Sequence, residues 1–96
     1  MNRTEVLDML RTHKPTLEQR FGVTKLALYG SLARDQATDS SDVDVLVEFA
    51  SPPDWRQYFG AQFYLEDLFG RSVDLATKEE VRAEIRPYVE RDAIDV

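Results

Sequence analysis

The sequence predicts an α+β fold in which one small sheet is covered by helices. Three observations point there: a helix-period opening segment, a cleanly alternating strand over residues 42–48, and an element order that reads α-β-α-β-α-β-α, an α/β-like succession. With 96 residues, a single domain over 1–96 is expected.

Residues 4–20 read as the first helix. Thr4 is placed to cap it, and Glu5 suits the positive end of the helix. Val6, Leu7 and Leu10 form one apolar stripe, Leu17 and Phe21 another. Pro15 either kinks this helix or starts a second one, and Gly22 ends it. Residues 25–29 form a short strand with Leu26 and Leu28 on one face. Gly30 and Ser31 turn the chain, residues 32–37 are a short helix, and residues 38–41 a polar loop. In residues 42–48, Val43, Val45 and Val47 share one face, Asp42, Asp44, Leu46 and Glu48 the other.

Residues 51–54 signal a loop and a helix start. The helix over residues 55–69 is rich in aromatics. Gly60 weakens its middle and Gly70 stops it. Tyr58, Phe63, Leu65 and Phe69 are assigned to the core, but Trp55, Tyr58, Phe59, Phe63 and Tyr64 span more than one face, so some are free for a partner or oligomer surface. Residues 72–76 are a third strand. Thr77 and Glu80 have capping-box spacing, opening a helix through Val81 and Ile85 that Pro87 kinks or restarts. Residues 93–96 are a candidate edge strand. His13 is read as a surface histidine.

Composition removes several function classes. There are no cysteines, so disulfides and thiolate metal sites are excluded, and one histidine leaves little for zinc. No apolar run has the length of a membrane span, and residues 1–11 lack a signal-peptide core, so a cytoplasmic protein is expected. The net charge of −6 argues against direct nucleic-acid binding and fits metal ions or a more basic protein partner.

Asp42 and Asp44 are the sharpest chemical signal. On a strand, residues i and i+2 share a face about 6.5–7 Å apart, so both carboxylates lean toward one point. Two like charges held together are costly unless cations neutralise them. Magnesium suits such a site, using few carboxylates and keeping positions for water and phosphate oxygens. Two ions roughly 3.5–4 Å apart can stabilise both the attacking and the leaving oxygen of a phosphoryl displacement. Asp74, between core-facing Val73 and Leu75, is the third candidate ligand. Gly30 and Ser31, between a strand and a helix start, offer backbone N–H groups and a hydroxyl to a phosphate. Taken singly, each feature also has a plain structural reading: water-facing strand aspartates, an ordinary turn with its cap.

Together they spell G-S-x₁₀-D-x-D, a pattern expected by chance about once in a thousand chains of this length. The runs Gly30-Ser31-Leu32-Ala33-Arg34 and Ser41-Asp42-Val43-Asp44-Val45-Leu46-Val47 resemble the polymerase-beta-type nucleotidyltransferase superfamily, and the chain as a whole its minimal (MNT) branch, which includes the MntA antitoxins. The resemblance implies a nucleotidyltransferase fold with a mixed sheet and a site for ATP or another NTP at the ends of the first two strands. It implies that Asp42 and Asp44 hold two Mg²⁺ ions, and that Asp74 binds the catalytic ion and helps deprotonate the acceptor. Gly30 and Ser31 would hold the terminal phosphates, Arg34 would approach the triphosphate, and Ser41 would orient the loop. Arg34 could instead be a surface charge paired with Asp35 or Asp39. Asp35 stands where many relatives carry glycine, and is expected to point outward.

The branch implies transfer of AMP from ATP to a tyrosine of a HEPN ribonuclease toxin. An acceptor supplied by a separate protein also fits a chain this short. Two alternatives remain open: a nucleotidyltransferase acting on RNA ends or a small molecule, and a non-catalytic antitoxin that masks its partner.

Overall fold

The structure, a computed structural model, describes residues 1–38 and 40–96. Among them the elements run α1 (Arg3–Phe21), β1 (Val23–Tyr29), α2 (Gly30–Ala33), β2 (Val43–Phe49), α3 (Trp55–Phe69), β3 (Val73–Ala76), α4 (Arg86–Asp92) and β4 (Ile94–Asp95). The strands form one mixed sheet in the order β3-β2-β1-β4. β1 pairs antiparallel with β2 and with β4, and β2 pairs parallel with β3. This is the α+β architecture expected, with the edge strand near the C-terminus in place.

One face of the sheet is apolar. Leu26 and Leu28 of β1, Val43, Val45 and Val47 of β2, and Val73 and Leu75 of β3 are buried against α1 and α3. α1 contributes Val6, Leu7, Leu10 and Leu17, and α3 contributes Ala61, Leu65 and Phe69. α3 is thereby turned so that Phe63 points outward, 60% exposed, and not into the core as its sequence position indicated. Tyr58 is half-buried, its hydroxyl bonded to the Leu75 carbonyl and to Glu80.

Gly60 has a packing role as well as a helical cost. A Cβ there would lie 2.6 Å from the Phe21 ring, so its absence lets α3 close on α1. His13 is also half-buried, with Nδ1 2.6 Å from the Tyr64 hydroxyl, because α1 lays it against α3.

Several element boundaries differ from those expected, three of them for instructive reasons. Asn2 caps α1, exchanging bonds with Glu5, and Thr4 lies within the helix, which runs unbroken through Pro15. α2 stops at Ala33, short of residue 37, because Asp35 takes the left-handed conformation, φ 59°. The Thr77–Glu80 capping box forms, but it opens only a 3₁₀ turn over Lys78–Glu80. Val81 is extended, and the helix restarts at Arg86 with Pro87 in its first turn.

Candidate active site

The second face of the sheet carries the polar residues. The β1–β2 register sets Tyr29 opposite Asp44, and the β2–β3 register sets Asp44 beside Asp74. Three adjacent strands therefore present Tyr29, Asp44 and Asp74 in a row, turned away from the core. Asp42 is exposed and immediately precedes β2, one residue outside the strand predicted to include it.

Gly30 lies directly against Asp44. It has φ 75°, and a Cβ on it would collide with Asp44 Oδ2 and fall 2.9 Å from Asp44 Cγ. Only glycine combines that backbone conformation with that approach. Tyr29, at the N-cap of α2, makes no side-chain cap bond. The first N–H groups of α2 thus lie next to the Asp44 carboxylate with no side-chain cap on them. Ser31 follows, with its carbonyl accepting from the Gln36 amide.

The electrostatics follow from this crowding. Partial burial, then the charges of Asp74 and Asp42, push Asp44 from 3.8 up to about 6, while Arg34 acts in the opposite direction. Burial, followed by the Asp74 and Asp44 charges, also raises the Tyr29 phenol above its ordinary range. An excess of negative charge converges here, with Arg34 as a nearby cation.

Arg34 is already engaged. Its Nη1 donates to Asp92 at 3.0 Å and its Nε to Gln36 at 3.2 Å. The Arg34 hydrogen bond holds the Asp92 carboxyl below the usual carboxylate range. The ion pair ties α2 to α4 across 58 residues of sequence. Of the partners expected for Arg34, Asp35 is exposed and makes no ion pair among the described residues, and Asp39 lies outside them; the partner seen is Asp92. Ser41 is used within its own loop. Its Oγ accepts from the Thr38 amide at 2.9 Å and its carbonyl from Arg71 at 3.2 Å.

Two features escaped the sequence reading. Tyr29 is one; its alternation with core-facing Leu28 was the available signal. The other is an apolar cleft of about 270 Å³, bordered by Leu46, Val81 and Val89 and rimmed by Lys78, Glu79, Arg86 and Glu90. Leu46 is two residues from Asp44 along β2 and on the same face of the strand, though none of the three aspartates lines the cleft.

The donor set suits magnesium in chemistry. It offers hard carboxylate oxygens under mutual repulsion, with no cysteine in the chain. Among the described residues no three acidic or histidine side chains form a ready-made cage. Phosphate oxygens and water would therefore complete the coordination, as magnesium sites of this kind require.

The chain matches the nucleotidyltransferase domain family over residues 10–96. It is 37% identical over 92 residues to the protein adenylyltransferase MntA of Thermococcus cleftensis, covering 96% of this chain and 93% of that one. It belongs to the minimal nucleotidyltransferases. A protein of Methanocaldococcus jannaschii assigned as a protein adenylyltransferase is 40% identical over 88 residues, covering 92% of this chain and 87% of that relative. A solved minimal nucleotidyltransferase superposes with TM-score 0.81 and 30% identity, over 100% of this chain and 97% of that one. A Shewanella oneidensis complex of a tri-AMPylated HEPN toxin with its MNT antitoxin shares the fold at TM-score 0.58 and 18% identity, over 98% of this chain and 67% of that chain. The expected family, fold and enzyme class therefore stand.

Asp35 yields a prediction free of any catalytic assumption. This nucleotidyltransferase holds a non-glycine residue at φ 59°. Asp35→Gly should raise stability by about 0.5–1 kcal/mol, since relief of left-handed strain outweighs the added freedom of the unfolded chain. Calorimetric melting checks it. A lower melting temperature would mean that the Asp35 side chain supports the turn.

Proposed function

We propose that this chain transfers AMP from ATP to a tyrosine hydroxyl on a separate HEPN-type toxin, in a magnesium-dependent reaction that makes it an antitoxin. The observation that carries the reading is the row of Asp44 and Asp74 on adjacent strands, with Gly30 and the start of α2 pressed against Asp44. The tyrosine oxygen attacks the α-phosphorus, the bond to the β-phosphate breaks and pyrophosphate leaves. The phenolic proton passes to Asp74, the exposed carboxylate of the row. Gly30 and Ser31 hold the terminal phosphates, Arg34 contacts the triphosphate, and Ser41 fixes the loop before Asp42. Asp42 and Asp44 would hold magnesium, with Asp74 a further ligand to the catalytic ion, and the metal would supply charge neutralisation at the triphosphate. The apolar cleft at Leu46, two residues along β2 from Asp44, offers a surface to a flat ring.

The MntA relative is named a protein adenylyltransferase, and the Shewanella complex contains an AMPylated HEPN toxin. Both support a protein acceptor. The charge of −6 favours a more basic partner and disfavours RNA. Mass spectrometry of the co-expressed toxin tests this. An AMP-sized adduct on a toxin tyrosine should appear with wild type and be absent with Asp42→Asn/Asp44→Asn. An unmodified toxin, with labelled ATP entering RNA 3′ ends, would sink the reading. Neutralisation that survives the double substitution without any adduct would point to masking.

A further inference from the structure

The exposed residues within α3 are Trp55, Arg56, Phe59, Phe63 and Asp67. Trp55, Phe59, Phe63 and Asp67 are spaced by four, so they form a single stripe about 18 Å long. Trp55 is 68% exposed, Phe59 45% and Phe63 60%. The stripe faces away from the sheet, since Ala61, Leu65 and Phe69 of the same helix enter the core. It therefore lies on the layer opposite the aspartates, where an acceptor docked at Asp44 does not cover it.

The charges at its two ends are placed against the helix's own interest. Arg56 is in the first turn and Asp67 in the last, whereas the helix dipole favours an acid first and a base last. Arg56 lies over the Trp55 ring at 5.3 Å, so its charge belongs to the stripe. Asp67 has no ion pair among the described residues.

We infer that a second copy of this chain covers the stripe, with the two α3 helices antiparallel about a two-fold axis. That arrangement sets Phe59 against Phe63 of the other copy and brings Arg56 of each beside Asp67 of the other. It also opposes the two helix dipoles. Each charge that is misplaced within one helix gains a partner across the pair. At aromatic areas of roughly 150–250 Å² per ring, the stripe offers roughly 350 Å² of exposed apolar surface. A standard interface uses about 800 Å² per partner. The dimer is therefore weak and concentration-dependent, in the micromolar range or above.

Sedimentation velocity from about 1 μM to about 1 mM reads the association directly. Wild type should shift from monomer to dimer across this range. Arg56→Glu and Asp67→Arg alone should each weaken dimerisation at least about tenfold, and the double variant should restore it, which a merely damaged surface would not do. Helicity and melting temperature, followed by circular dichroism, confirm that the variants are folded. A wild type that stays monomeric throughout overturns the inference. So does a dimer unaffected by both single reversals. Stripe substitutions that abolish binding of the toxin by a monomeric wild type would assign the surface to that partner instead.

Discussion

Asp44→Asn should remove nucleotidyl transfer and, at the same time, make the nucleotide-free protein more stable. The activity loss is expected to reach about 10³-fold or more, at the top of the range for losing one electrostatic element of a polar site. The gain in stability has a separate cause. The folded chain holds the Asp44 proton up to about pH 6, whereas the unfolded chain releases it near 3.8. Between those values the folded state binds more protons, so stability falls as pH rises through the window. At pH 7 the full cost is present. A two-unit shift corresponds to about 3 kcal/mol, but Asp44 is only half-buried and solvent screens much of it. About 1 kcal/mol of stabilisation at pH 7 is a fair expectation, raising the melting temperature by about 4–8 °C. The difference between wild type and variant should vanish near pH 3.5, where both are uncharged. Magnesium with ATP should stabilise wild type and have far less effect on the variant. Scanning calorimetry at pH 3.5, 5 and 7 reads all of this. A variant less stable than wild type at pH 7 would show that the Asp44 carboxylate is structurally supported and not strained.

The parts of this site that were legible in the sequence are those set by local periodicity. Val43, Val45 and Val47 alternate with Asp42, Asp44 and Leu46, and a period of two leaves only one way to divide them between core and surface. Val73 and Leu75 likewise send Asp74 to the other side. What the alternation could not show is which strand lies beside which. The strand order places β2 between β1 and β3, and only this register brings Tyr29, Asp44 and Asp74 into one row. Arg34 and Asp92 meet for the same non-local reason: α4 folds back over α2. Local signals also misled where backbone conformation intervened. The Thr77–Glu80 spacing is a real capping box, yet the chain leaves the helical region at Val81. Phe63 has core chemistry but lies on the wrong side of α3.

In the proposed mechanism the row also separates holding the nucleotide from activating the acceptor. Gly30, at the start of α2, touches Asp44, whereas Asp74 is one strand further out and exposed. Asp74→Asn keeps the size and shape of the side chain and removes the ability to take a proton. Because no buried contact is lost, the fold should be kept, with stability at pH 7 slightly raised as Asp44 loses a repelling neighbour. Under the proposed roles, ATP affinity should stay within a few-fold, since the phosphates rest on Gly30, Ser31 and Arg34. Turnover should fall by about 10²–10⁴-fold, the usual contribution of a general base. That split, a lower kcat with nearly constant nucleotide binding, marks a residue that acts in the transition state and not in the ground state. Calorimetric titration of ATP and single-turnover transfer to the toxin supply the two numbers. Near wild-type transfer by Asp74→Asn would remove Asp74 from the site, while a parallel loss of binding and rate would recast it as a nucleotide-binding ligand. In either case Asp42 and Asp44 would remain as the paired carboxylates at the mouth of β2.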